Sequence, residues 1–473
     1  MITRLIALVV ALACLFGPVR SSMARDAAGA PHVLTLRQVL DAVAAAHPQL
    51  EAARERVRGA EGDALAARGG FDPQLRVRGQ YAPIGAFANG RFDVELRQPT
   101  PLWGLQVYGG WRLGLGDFAV YDLRAKTASG GEVRAGVSLP LWQGGPIDRR
   151  RADLQVTDLG RRAAGADVDV RLLELERAAA RAYWAWVGAG LRLAVQQRLL
   201  ALAEDRDAAL RRQVAAGNTP EVEGLENRRA ILERKGRLVA AERALEQAAL
   251  ELARHLRDDG GAMVVPMADR LPPAFPEPPA ADPLEAALSD ALARRPELRR
   301  VLLQRDAAQV EVHLARNNLS PRIDLDAYVA KDLGLVAPEY RYLLPAEFVA
   351  GISIELPLPL RIARGKLRRA KADRARLDAE LRWMTDVVAV ELRDAHSALV
   401  AAHARVTLAR EQLQVAHALE QAERRRFELG DSTLLFVNLR EQAAADAAAQ
   451  ELDALTDYHR AAADLRVAAG RPP

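Results

Sequence analysis

Three histidines, His396, His403 and His417, lie seven and fourteen residues apart on one stretch of helical periodicity. That spacing lines imidazoles along a helix, and copies of the helix around an axis would turn each into a ring able to hold a metal. Solvated or packed histidines are the simpler reading. The other residues that do chemistry are equally dispersed. There is no Gly-rich phosphate loop followed by Lys and Ser/Thr, no HExxH, and one cysteine, Cys14. Gly109, Gly110, Gly114 and Gly116 fall in strand-like sequence with no helix after them, so they make no dinucleotide fingerprint. Many Asp and Glu residues lie near opposite charges on helical faces, without a pocket to shift their titration. The expectation is a protein that is not an enzyme and takes no cofactor or metal.

Charge is the remaining chemistry. In residues 74–81, Gln74, Arg76, Arg78 and Gln80 alternate with Leu75, Val77, Gly79 and Tyr81. In residues 322–329, Arg322, Asp324, Asp326 and Tyr328 alternate with Ile323, Leu325, Ala327 and Val329. Similar alternation runs through residues 92–97, 105–113, 132–139 and 348–356. Each stretch has the two-residue period of a strand with one apolar and one polar face. A soluble sheet and a membrane barrel with a wet lumen both do this. Fourteen of the 23 aromatic residues fall within 71–142 and 328–348, among them Tyr81, Trp103, Trp111, Trp142, Tyr340, Tyr342 and Phe348, and such clustering near strand ends suits a membrane interface. On the membrane reading Arg76, Arg78, Asp324 and Asp326 line the lumen, the arginines opposite the acids.

The elements that carry these strands occur twice. A constant shift of 248 places Leu40 on Leu288, Pro48 on Pro296, Leu50 on Leu298, Ala67-Arg68 on Ala315-Arg316, and Pro73 on Pro321. SLPLW at 138–142 resembles ELPLPL at 355–360, and AAGNTPEVEGLENR at 215–228 pairs with ELGDSTLLFVNLRE at 428–441. The chain is therefore read as a tandem duplication. The first repeat, 25–263, has predicted helices at 36–68, 148–216 and 221–256, with strands within 72–142. A Pro-rich linker at 264–283 follows. The second repeat, 284–473, has helices at 284–317, 365–429 and 433–468, with strands within 321–357. Each middle helix, free of proline, would reach about 100 Å, too long for a compact domain. The two shorter helices of a repeat add up to about that length and can stack end to end beside it, with Ala-rich stripes suited to coiled-coil packing.

Residues 1–24 combine Arg4, an apolar run from Leu5 to Phe16 and Ser22-Met23-Ala24, which predicts an export signal. Cys14 makes only a poor lipidation box. The formal charge of +4 falls to +2 once Arg4 and Arg20 are cleaved off, with acids and bases interleaved, so no nucleic acid partner is expected. Export combined with lipid-suited strands argues for a barrel closed by several subunits, because an open sheet edge is not tolerated in lipid.

The duplicated helix–strand–long helix–turn–helix unit resembles the TolC-type outer-membrane efflux proteins. Pro48 and Pro296, the AxxxxxP approach to the strands, the PLWQGG and PLPLRIARG exits, and turn glycines Gly217 and Gly430 carry the likeness. It implies an α+β membrane protein that forms, as a homotrimer, a transmembrane β-barrel continued by a helical periplasmic tunnel. It implies a location in outer-membrane lipid and docking on a periplasmic adaptor and an inner-membrane transporter. The function implied is the passive exit duct of a tripartite efflux system; a duct for protein secretion and a periplasmic coiled-coil scaffold are the alternatives. The turns at Gly217-Asn218 and Gly430-Asp431 become the periplasmic tips and adaptor contacts. Family tips often carry an aspartate six residues after the glycine. Here those places hold Glu223 and Phe436, with Asn438 beyond, so the gate is either a carboxylate ring or an apolar constriction.

Overall fold

The computed structural model describes residues 33–119, 125–258, 260–279, 283–336, 340 and 345–473. The predicted export signal at 1–24 with Cys14, the linker residues 280–282, and Tyr342 lie outside them.

Six strands form one antiparallel sheet in sequence order: β1 Gln74–Ala82, β2 Asn89–Pro99, β3 Gln106–Gly116, β4 Glu132–Pro140, β5 Arg322–Asp332 and β6 Glu347–Glu355. The first repeat supplies four strands and the second two, so the hairpin β2–β3 has no counterpart in the second. β1 and β6 are the sheet's free edges.

Among the described residues, eight α-helices surround this order: α1 Leu36–Ala46, α2 Pro48–Arg68, α3 Arg149–Ala215, α4 Glu221–Ala253, α5 Leu284–Arg294, α6 Pro296–Asn317, α7 Arg361–Glu428 and α8 Leu434–Ala468. At 67 and 68 residues, α3 and α7 each run about 100 Å. α3 begins where the Asp148 carboxylate accepts a hydrogen bond from Arg151 N at 2.8 Å, satisfying one of the donors a helix start leaves open.

The expected single helices at 36–68 and 284–317 are each broken in two. Proline has no N–H to continue the ladder, and its ring pushes the preceding residue out of helical geometry. His47 before Pro48 and Arg295 before Pro296 are accordingly extended, at ψ 124° and 119°.

The short helices lie end to end beside the long ones. At the junction in the first repeat, His47 stacks on His255 just past α4, with ring centroids 5.9 Å apart. In the second, Arg295 Nη1 donates to Val467 O near the end of α8 at 3.2 Å. Two apolar cores occupy this level. One joins Val39, Val43, Tyr183, Trp186, Val187 and Leu252; the other joins Val388, Leu392, Leu399, Leu455 and Tyr458.

The proline-rich segment crosses the cores as a strap. Leu34 N donates to Arg270 O at 2.9 Å, and Leu271 lies so close over Gly190 that a Cβ there would meet its side chain at 2.3 Å. Phe275 of the strap stacks on His459, which stacks in turn on Trp184, with centroids 5.4 and 4.3 Å apart.

Candidate functional site

The sheet has two chemically different faces. Antiparallel partners project to the same side, so register alone sorts the residues. Leu75, Val77 and Tyr81 of β1 share a face with Leu96, Val94 and Phe92 of β2, Trp111 and Leu113 of β3, Val133, Ala135 and Val137 of β4, Leu325, Ala327 and Val329 of β5, and Ile354, Ile352 and Phe348 of β6. Much of this face is bare: Tyr81 is 77% exposed, Ile354 70% and Leu75 67%. A contiguous exposed apolar face of this extent is foreign to a surface in water and marks contact with lipid or another apolar partner.

The opposite face is charged and largely self-paired. Arg97 pairs with Glu95 at 3.0 Å, and Arg134 reaches both Glu95 at 3.3 Å and Asp93 at 3.9 Å. Arg112 bonds Glu132, and Arg322 bonds Asp324 at 2.6 Å. Arg76, Arg78, Asp324 and Asp326 all belong to this face, but the structure does not bring the arginines and aspartates together within the sheet. Arg76 and Arg78 stand in register with Glu95 and Asp93, whereas Asp324 and Asp326 stand opposite Pro140 and Ser138 on β4. Three strands, β4 and the two of the hairpin β2–β3, lie between β1 and β5 and separate them.

At the far ends of the long helices the two repeats make one and the same turn. Gly217 and Gly430 have φ of +75° and +83°, a conformation that costs any residue with a Cβ. Asn218 N bonds back to Gln213 O at 3.0 Å, and Asp431 N to Arg426 O at 2.9 Å, closing each helix end. A Cβ at either glycine would meet nothing, so backbone conformation alone demands the residue.

The two tips are joined. Thr433 precedes α8 without capping it, and the N–H of Leu434 donates instead to Glu223 Oε2 of the other repeat at 3.2 Å. Glu223 is half-buried and acts here as a cap supplied across the hairpins, near the positive end of the helix dipole. Leu210, Leu434 and Val437, with Phe427 against them, form an apolar plug behind it. Phe436 points away from that plug and is 52% exposed, beside exposed Leu435 and Leu439.

Asn438 does not belong with a pore lining. It is buried and turned between the hairpins, where its Oδ1 accepts from Arg206 at 2.9 Å and Arg234 at 3.4 Å. Those arginines converge on Glu441, which is 1% exposed: Arg234 donates to its Oε2 at 2.9 Å, and Arg424, at 3.3 Å, and Arg206 both donate to its Oε1. Arg234 also donates to Leu199 O at 2.8 Å. Four helices, α3, α4, α7 and α8, thus meet at one carboxylate. Sequence reading misses this cluster because each member has an opposite charge or amide nearby on its own helix and looks like part of a solvated face.

Among the described residues, no three His, Cys, Asp or Glu side chains converge as a metal site, and no helix is long and apolar enough to cross a membrane. His403 lies 5.8 Å from the Tyr458 ring and His417 contacts Glu420 at 3.2 Å. Mid-bundle, burial pushes His459 down to about 4, so it is neutral, and its Nε2 donates to Pro276 O at 3.2 Å.

A duplicated unit of strands and very long helices, with the strands of both copies in one sheet, defines the TolC-type fold of outer-membrane channels. Solved structures of that class bear this out: the outer-membrane channel OprN is similar at 19% identity and a TM-score of 0.65, over 92% of this chain and 89% of that one. VceC of Vibrio cholerae gives 16% and 0.64, over 92% and 96%, and the open state of MtrE from Neisseria gonorrhoeae 18% and 0.60, over 92% and 89%. Residues 287–471, most of the second repeat, match the family described as outer membrane efflux protein. No curated protein sequence gives a significant match.

Proposed function

We propose that the chain is the outer-membrane exit channel of a tripartite efflux system. It would conduct substrates passively from a periplasmic adaptor and an inner-membrane transporter to the outside. The observation that carries this reading is the six-stranded sheet with one exposed apolar face and one face of paired charges, mounted on helices of about 100 Å. Lipid satisfies the first face and a wet lumen the second. A sheet with free edges cannot sit in a bilayer, so β1 and β6 must find partners, and copies of the chain provide them.

A homotrimer, as the family likeness implies, would close eighteen strands from three six-stranded sheets, and a barrel of that number leaves an aqueous channel. The long helices would then form the periplasmic tunnel. The tips at Gly217-Asn218 and Gly430-Asp431 would meet the adaptor, and Phe436 and Glu223 would stand at the closed end. Energy comes from the partner pump; the duct needs no turnover of its own.

The test is biochemical. The protein should be extracted from the outer-membrane fraction only by detergent and should change gel mobility on heating. Recovery as a soluble species released by salt would overturn the reading in favour of a periplasmic scaffold.

A further inference from the structure

The free edges of the sheet carry enough information to set how they meet. This step rests on the outer-membrane barrel proposed above. Within one chain, the last strand of the first repeat, β4, already pairs with the first strand of the second, β5. Ser138 stands opposite Asp326 and Leu139 opposite Leu325, and the pairing runs on through Leu141 N to Ile323 O at 2.7 Å. In a ring of copies the next seam of the same kind joins β6 to β1 of the neighbour. The duplication relates the two seams. β5 corresponds to β1 with Pro321 on Pro73, and the exit of β4 corresponds to that of β6 with Pro140 on Pro357.

We infer that β6 pairs antiparallel with β1 of a second copy in the register of the β4–β5 seam, so that Glu355 stands opposite Arg78 of the partner subunit. Ser138 maps onto Glu355 and Asp326 onto Arg78. Two features independent of that mapping agree with it. Glu355 and Arg78 both belong to the charged face, both are exposed, and neither has an ion pair or side-chain hydrogen bond among the described residues, unlike Glu95, Arg97, Arg134 and Asp324 on the same face. The same register also sets Leu356, Ile354 and Ile352 opposite Val77, Gly79 and Tyr81, so the exposed apolar face continues across the seam without inversion. A slip of one residue would turn every side chain of β1 to the wrong side. A slip of two would keep the faces and exchange Arg78 for Arg76 or Gln80, and the exit prolines choose between these.

Cysteine pairs test it in the full-length protein, in native membranes with mild oxidant. The only natural cysteine, Cys14, lies in the predicted export signal. Arg78→Cys combined with Glu355→Cys should give covalent dimers and trimers on a denaturing gel, because directly opposed residues bring Cβ atoms to about 5 Å. Preferential linking of Arg76→Cys or Gln80→Cys with Glu355→Cys would overturn the register while leaving the barrel intact. Heat-modifiable protein with no linked pair would overturn the seam itself. A soluble, unlinked protein would overturn the outer-membrane reading beneath it. Charge reversal adds an arm without new thiols: Arg78→Glu should lower the yield of gel-stable oligomer several-fold, and Glu355→Arg in the same chain should restore it. Lack of rescue, with oligomer lost in both, would count against the pair.

Discussion

Glu223 Oε2 of the first repeat accepts the backbone N–H of Leu434, the first residue of α8 in the second repeat, at 3.2 Å. One carboxylate therefore ties the tips of both hairpins together. It also satisfies a helix-start donor that the local sequence leaves open, since Thr433 makes no cap of its own.

Glu223→Ala should remove that tie at a cost of about 1 kcal/mol, the usual worth of a cap. Glu223→Gln keeps an acceptor and loses the charge that favours the helix N-terminus, and should fall between the two. Single-channel recordings in planar bilayers should show more frequent opening for the alanine variant than for the glutamine one. Equal behaviour of both variants and the parent would mean that the bond does not hold the tips.

Glu441→Ala strands Arg206, Arg234 and Arg424 around an empty place. Breaking a buried pair from one side costs about 3–5 kcal/mol, because the remaining charge stays buried without compensation. Denaturant unfolding should show the loss, and Glu441→Gln should recover part of it through hydrogen bonds. Stability unchanged by the alanine would show that water reaches the cluster in the assembled protein.

Acid should loosen the middle of the bundle. His459 titrates near 4 in the folded chain against an ordinary 6.5, so the unfolded chain binds the proton first as pH falls. Stability is fully present above pH 6.5 and declines between 6.5 and 4, by up to roughly 3 kcal/mol from this group. His47 and His255 are also lowered, with burial the first cause in each, and add in the same direction. A melting series from pH 8 to pH 4 in detergent should fall below 6.5, and less steeply for His459→Phe. The same slope in that variant would remove His459 as a source.

Phe436→Ala tests the apolar gate. Phe436 lies outside the plug made by Leu210, Leu434 and Val437, so truncation should cost little folding stability. If the ring helps close the pore, cells carrying the variant should become several-fold more sensitive to a large hydrophilic antibiotic. Unchanged uptake would assign closure elsewhere, with Glu223 the remaining tip residue to test.

The sequence showed the duplication, both long helices and the polarity of each strand, because these depend on local periodicity and on proline and glycine positions. The breaks at His47 and Arg295 were signalled by Pro48 and Pro296; unbroken helices were the wrong expectation because helical patterning continues across both. Asn438 was assigned to the pore from its place in the tip turn, but its direction depends on how four helices pack. The Glu441 cluster was hidden for the same reason: Arg206, Arg234 and Arg424 lie far apart in the chain and meet only in the fold.

The hairpin β2–β3 belongs to the sheet alone. Both its strands turn back before reaching a helix, so it widens the sheet by two strands and adds nothing to the helical bundle. In the proposed trimer the calibre of the outer mouth and the bore of the tunnel would thus be set by separate stretches of sequence. In the proposed assembly the opening to the outside would then widen or narrow in steps of one hairpin per subunit, with the tips that would meet the adaptor unaltered.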